Sequence, residues 1–243
     1  MQFSDVIGQQ ELKTHLVQEV DKGKISHAQL FLGKAGYGGL PLALAFVQYL
    51  FCEQKNGIDS CGNCPSCHKV SQLQHPDLHF SFPSVQALNK KSDGFIKEWR
   101  EQVHEQPYFS LNDWLRRIDD KERKPIIGTE ESQEIIRKLS LKSYEGGFKV
   151  MIIWKAEEMN RECSNKLLKI LEEPPKDTLF ILLCEAQDAM LPTILSRTQI
   201  VKIPRVTSDD LSSYLRKHHQ SLNSNSDSIV ARVDGDVIEA LEL

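Results

Sequence analysis

A short apolar run, Gln29-Leu30-Phe31-Leu32, leads directly into Gly33-Lys34-Ala35-Gly36-Tyr37-Gly38-Gly39-Leu40. An apolar run, a glycine-rich turn and then a helical pattern is the frame of a phosphate loop, G-x-x-x-x-G-K-[ST], with Gly33 first and Gly38 last. The frame lacks its charged chemistry. Gly39 stands where the lysine would meet the β- and γ-phosphates, and Leu40 where a hydroxyl would hold Mg²⁺. Gly33, Gly36, Gly38 and Gly39 therefore read as a vestigial loop, with a plain glycine turn after a strand as the alternative.

The second constraint is a cysteine pattern. Cys52, Cys61, Cys64 and Cys67 form C-x8-C-x2-C-x2-C. Four thiolates can close a tetrahedral zinc site with no open position, which makes the metal structural. Gly62, Asn63, Pro65 and Ser66 in the short gaps suit tight turns. An iron–sulfur cluster and four incidental reduced thiols are the rival readings. His68, adjacent to Cys67, is an awkward substitute ligand. Cys163 and Cys184 stand alone and read as buried core thiols.

Apolar runs recur at 30–32, 78–80, 150–154, 179–184 and 200–203, with helical patterns between several of them. The first helix opens at Leu42. Ile135, Ile136 and Leu139 mark another. A third is expected over Glu157–Glu173, stopped by Pro174-Pro175. Short buried strands alternating with helices predict an α/β fold with a parallel sheet. Phe82–Gly128 breaks the alternation. Its mixed charges and Trp99, Tyr108, Phe109 and Trp114 predict a helical insertion with its aromatics packed on the body; a contact surface for DNA or a partner is the other reading. After Pro204, a helix is expected over Thr207–Leu215 with Thr207 or Ser208 as N-cap, then a polar loop over Ser221–Ser228, then one helix over Ile229–Leu243.

Composition narrows the function classes. The chain of 243 residues has a formal net charge of −4, so the basic excess that marks nonspecific nucleic-acid binding is absent. No run of 18 apolar residues predicts a membrane span. Met1-Gln2-Phe3-Ser4-Asp5 lacks the pattern of a secretory leader, which makes the cytoplasm the expected compartment. There, six cysteines point to metal or free thiols rather than disulfides.

The longest specific pattern is Met159-Asn160, then Asn165-Lys166-Leu167-Leu168-Lys169-Ile170-Leu171-Glu172-Glu173-Pro174-Pro175, then Leu191-Pro192-Thr193-Ile194-Leu195-Ser196-Arg197-Thr198. With Phe3-Ser4-Asp5-Val6-Ile7-Gly8-Gln9, His27-Ala28-Gln29, His75-Pro76-Asp77-Leu78 and the cysteines, the chain resembles the bacterial clamp-loader subunits of the AAA+ superfamily. Within them it is most similar to the delta-prime type of DNA polymerase III. The resemblance covers nearly the whole chain outside Phe82–Gly128.

The resemblance implies an AAA+ P-loop-type parallel sheet flanked by helices over 1–204, with a zinc loop at 52–67 and the insertion at 82–128. A small helical lid follows over 205–243. The family's third, collar domain is expected to be absent from a sequence that stops at Leu243, and such a fragment is expected to be monomeric. Four elements of the ATP site depart from the family pattern. They are the loop at Gly39 and Leu40, the acid pair replaced by Lys155 and Ala156, the sensor region Leu183-Cys184-Glu185, and the lid arginine position, which is Ile238. The expectation is a subunit that does not hydrolyse ATP. Arg197, preceded by Ser196, matches the family's arginine finger, which stabilises charge on the γ-phosphate of a neighbouring subunit; Thr198 replaces the family's cysteine.

The implied role is a scaffold subunit of the DNA-directed DNA polymerase holoenzyme. Its implied partners are the gamma/tau motors, the delta subunit and, through the complex, the sliding clamp and primed DNA. The alternatives are an active gamma/tau-like ATPase motor and a zinc-dependent nucleic-acid-binding module.

Overall fold

The computed structural model describes residues 1–121, 123–218 and 226–243. Strands β1 (Ala28–Leu32), β2 (Leu78–Ser81), β3 (Lys149–Ile153), β4 (Thr178–Cys184) and β5 (Gln199–Lys202) form one sheet in the order β2-β3-β4-β1-β5. Every pairing is parallel, with Leu30 opposite Leu182 on one side and Ile200 on the other. All five apolar runs become strands.

The central runs are continuously apolar because both sheet faces are covered. Alternate residues enter different cores. Leu30, Met151, Ile153, Phe180 and Leu182 pack on one face with α6 (Thr129–Ser140) and α7 (Arg161–Glu172). Phe31, Val150, Ile152, Leu179 and Ile181 pack on the other with α1 (Gln10–Asp21) and α2 (Gly39–Phe51). The result is a three-layer α/β body.

The insertion belongs to that second core. Its helices α4 (Ile96–Glu105) and α5 (Leu111–Ile118) bring in Trp99 and Trp114, both fully buried. The Trp99 ring stacks on Phe82 at 4.3 Å and meets Trp114 edge-on at 5.5 Å. Trp114 Nε1 donates to the Pro83 carbonyl at 2.8 Å, so its buried donor is satisfied. Trp99, Phe109 and Trp114 pack on the body, as expected, whereas Tyr108 joins a different apolar cluster with Val206, Leu211 and Leu215. Ser110 and Asp113 form a reciprocal capping box that starts α5.

Two helix expectations are corrected. The stretch expected as one helix from Glu157 begins as a 3-10 turn at Ala156–Glu158, and α7 starts only at Arg161. Backbone pairing with the end of the insertion competes with the helix. Ile127 N–H donates to the Glu158 carbonyl, and Asn160 N–H donates to the Ile127 carbonyl. Asn160 Oδ1 then accepts from Cys163 N–H at 2.8 Å and caps α7.

The helix expected over Ile229–Leu243 is two, α10 (Ser226–Val230) and α11 (Val237–Glu242). Asp234 and Gly235 lie at φ +43° and +74°, which ends one helix, and Asp236 caps the next by accepting from Ile238 and Glu239 N–H. Of the polar loop expected over Ser221–Ser228, residues 221–225 lie outside the described residues, and Ser226 onward is helical. As expected, Thr207 caps α9 (Ser208–His218), its hydroxyl accepting from Asp210 N–H. Helices α9 to α11 share a third apolar cluster that includes Leu211, Leu215, Val230 and Val237.

Candidate functional site

The loop that follows β1 is built as its glycine frame predicts. Gly33 N–H donates to the Cys184 carbonyl at 3.0 Å, which holds the loop at the C-terminal edge of the parallel sheet. A 3-10 turn covers Ala35–Tyr37. Gly38 at φ +88° then turns the chain into α2, a conformation that costs a residue with a Cβ. Ligands in open parallel sheets bind at this edge.

Three groups of the protein itself crowd the loop. A Cβ at Gly36 would overlap the Asp236 carboxylate, and one at Gly38 would lie 3.0 Å from the Tyr108 ring. Ala35 N–H donates to Glu185 Oε1 at 2.6 Å, so a carboxylate takes a backbone amide of the loop. Glu185 Oε2 also pairs with Lys155 Nζ at 2.6 Å. Lys155, buried at φ +55°, stands just past β3, where the sequence expects the acid pair to be replaced. Pro107, Phe109 and Trp154 close the remaining side. They leave a cavity of about 20 Å³, room for about one water; ligand pockets usually reach several hundred Å³.

The acids nearby are engaged. Glu157 Oε1 accepts from Glu185 N–H at 3.1 Å, while its Oε2 is buried with no hydrogen-bond partner among the described residues. Burial raises the Glu157 carboxyl above the usual range and pushes the Cys184 thiol up to about 12. Both shifts favour the uncharged forms. Ile238, where the resemblance expects a lid arginine, carries no charge to offer a phosphate.

Arg197 lies at the other end of the sheet. It precedes β5, whose Gln199 pairs with Gln29, whereas the loop follows β1. At about 3.3 Å per residue the two are roughly 20 Å apart along the strands, so Arg197 does not serve its own loop. Its Nη1 donates to the Thr193 carbonyl at 3.0 Å and to Ser196 Oγ at 3.3 Å, and its Nη2 pairs with Glu172 at 3.1 Å. Nε is buried with no hydrogen-bond partner among the described residues.

The cysteines converge. The Sγ atoms of Cys52, Cys61, Cys64 and Cys67 all lie within 4.8 Å of one another, and Cys61 and Cys67 are 3.9 Å apart. A tetrahedral zinc with bonds near 2.3 Å sets sulfur–sulfur spacings of about 3.8 Å, so the donor set fits. Cys64 N–H donates to Cys61 Sγ, a bond that favours the thiolate there, and Cys67 N–H donates to Cys64 Sγ. Backbone N–H groups of Asn63 and Cys64 lower the Cys61 thiol to about 6, while burial raises Cys67 well above the usual range. His68 is outside this cluster, the only one of its kind among the described residues. Its Cys64 end is also the cap of α3 (Pro65–Ser71).

Of the groups that contact the loop, Glu185 was legible as an acid just past the β4 run, whereas nothing local in the sequence marks Tyr108 or Asp236.

A family model described as DNA polymerase III, delta subunit, matches residues 8–207. Subunit delta' of DNA polymerase III from Bacillus subtilis is 28% identical over 228 residues, covering 94% of this chain and 56% of that protein. Subunit tau of DNA polymerase III from Escherichia coli is 27% identical over 195 residues, covering 80% of this chain and 24% of that protein. The solved structure of a gamma-subunit-related protein of DNA polymerase III from Thermotoga maritima superposes with a TM-score of 0.56 at 17% identity, over 95% of this chain and 56% of that one. That likeness carries the AAA+ P-loop fold. The chain spans about half the length, or less, of the curated relatives it matches.

Proposed function

The chain belongs to the DNA polymerase III delta subunit family, and from that membership we propose that it is a non-hydrolysing scaffold subunit of a clamp loader. In this reading it supports ATP-driven loading of a sliding clamp on primed DNA without hydrolysing ATP itself. The observation that carries it is the crowded loop. Gly39 and Leu40 offer neither ammonium nor hydroxyl, Glu185 holds the Ala35 amide, and about 20 Å³ remains. A triphosphate would have to displace a carboxylate and then lie beside it.

Residues 1–204 act as the AAA+ body and 205–243 as its lid. Arg197, set by Ser196 and Thr193, acts as an arginine finger toward the ATP of an adjacent motor subunit. Its place at the end of the sheet remote from its own loop supports a role in trans. Gamma/tau motors and the delta subunit are the direct partners, with clamp and DNA reached through the complex, in the cytoplasm. No described helix is long and apolar enough to cross a membrane. Zinc in the four-cysteine site would hold Cys52 against α3 and serve structure alone. The likeness to tau keeps the motor reading as the competitor, and it requires groups that replace Gly39, Leu40, Lys155 and Ala156.

Calorimetric titration with ATP and Mg²⁺ tests the reading. No heat of binding is expected up to millimolar ligand. Micromolar binding with turnover would overturn the scaffold role in favour of the motor.

A further inference from the structure

We infer that Tyr108 is an internal wedge that fixes the lid helices to the α/β body, in the space the loop would otherwise leave to a ligand. The inference rests on reading Gly33–Leu40 as a nucleotide loop without its chemistry. It adds a positive task for the insertion.

Pro107, Tyr108 and Phe109 join α4 to α5, and consecutive residues of this link enter different cores. Phe109 belongs to the sheet-facing cluster with Trp99 and Trp154. Tyr108 belongs to the lid cluster with Val206, Leu211 and Leu215. Two neighbouring side chains of this bent link tie the two cores together. Tyr108 is 4% exposed. Its ring faces Gly38, and its hydroxyl accepts from Ile7 N–H at 3.0 Å. One side chain thus touches the N-terminal segment, the loop and the lid.

The lid approaches the loop beside it. Asp236, the cap of α11, packs directly on Gly36. Gln9 Nε2 bridges the carbonyls of Tyr37 and Pro204, at 3.0 and 2.6 Å, across the same junction. The loop glycines therefore serve close packing of protein on protein. A lid held this way keeps one angle whether or not nucleotide is present.

Hydrogen–deuterium exchange on the intact chain tests the wedge, with Tyr108→Ala, Tyr108→Phe and wild type compared. Removing the ring should speed exchange of peptides over 208–218 and 229–243 by at least about fivefold and leave the strand peptides unchanged. Tyr108→Phe should release chiefly the Ile7 amide, by about fivefold, the loss of one hydrogen bond of ordinary net strength. Lid exchange at the wild-type rate in Tyr108→Ala would overturn the wedge. So would equal acceleration of lid and strands, which would make Tyr108 a general core residue. Added ATP and Mg²⁺ should leave wild-type exchange unchanged. ATP-dependent protection of the wild type would instead overturn the reading of the loop, so the two failures are distinguishable.

Discussion

Gly36 and Gly39 look alike in the sequence, as two glycines of one phosphate-loop frame, yet their surroundings differ. The nearest atoms to a Cβ at Gly39 are Leu183 at 3.7 Å and Ile203 at 3.9 Å, ordinary contacts, whereas a Cβ at Gly36 overlaps the Asp236 carboxylate. Gly36→Ala should push the cap of α11 aside and lower stability by about 1–3 kcal/mol. Gly39→Ala should stay within about 0.5 kcal/mol of wild type. Urea midpoints measure both, and equal midpoints would remove the packing argument for Gly36. The charges follow the same logic. Lys155 was legible as a charge just past the β3 run. That it is buried and neutralised by Glu185 depends on β3 and β4 lying side by side.

At the scale of elements, the cysteine arm is the most local feature and was the most legible. Turns over two-residue gaps bring Cys61, Cys64 and Cys67 together with little help from the rest of the fold, and only Cys52 comes from the end of α2. Cys67→Ser leaves a three-thiolate site with a buried hydroxyl. Metal analysis should find one zinc per chain in the wild type and a marked loss in the variant. Stability should fall by about 3 kcal/mol, or roughly 6–12 °C in Tm for a chain of this size. Iron in place of zinc, or no metal in the wild type, would sink the zinc assignment.

Helix α6 gives a second test at this scale. Its Glu134 bonds Arg137 and reaches Lys91 at 3.0 Å, which anchors the start of the insertion. Arg137 first, then Lys91, holds the Glu134 carboxyl down to about 2. The folded pKa is depressed, so the contribution is present above the unfolded value near 4.5 and is lost as pH falls toward 2. Glu134→Gln should flatten the decline of Tm over that window. An unchanged acid profile would show that the pair adds nothing.

At the scale of the whole molecule, Arg197 and the closed loop occupy opposite ends of one parallel sheet. That separation matters in an assembly, where one end would meet a neighbour's nucleotide and the other would meet none. Arg197→Ala, assembled with motor subunits, should lower ATP turnover at the adjoining site by about 10³-fold or more without loss of assembly. Unchanged turnover would remove the finger. Glu172 and Thr193 now hold the guanidinium against its own subunit, so a neighbour's phosphate has to compete with that pairing.

Sequence by itself determined the five strands, the cysteine cluster and the absence of an ammonium or hydroxyl at Gly39 and Leu40 of the glycine frame. Each is a local pattern, fixed by residues within a turn or a strand of one another. The family followed from the longer motif ending in Glu172-Glu173-Pro174-Pro175 and Ser196-Arg197. Only the tertiary structure decided what fills the loop. Tyr108 lies 70 positions from Gly38 and 101 from Ile7, and Asp236 lies 200 from Gly36. No periodicity spans such distances. The break between α10 and α11 and the late start of α7 were hidden for the same reason. There the local helical preference lost to Asp234-Gly235 packing on Arg205 and Val206 and to backbone bonds with Ile127. Contacts between remote segments, made once the sheet brings them together, override weak local propensity.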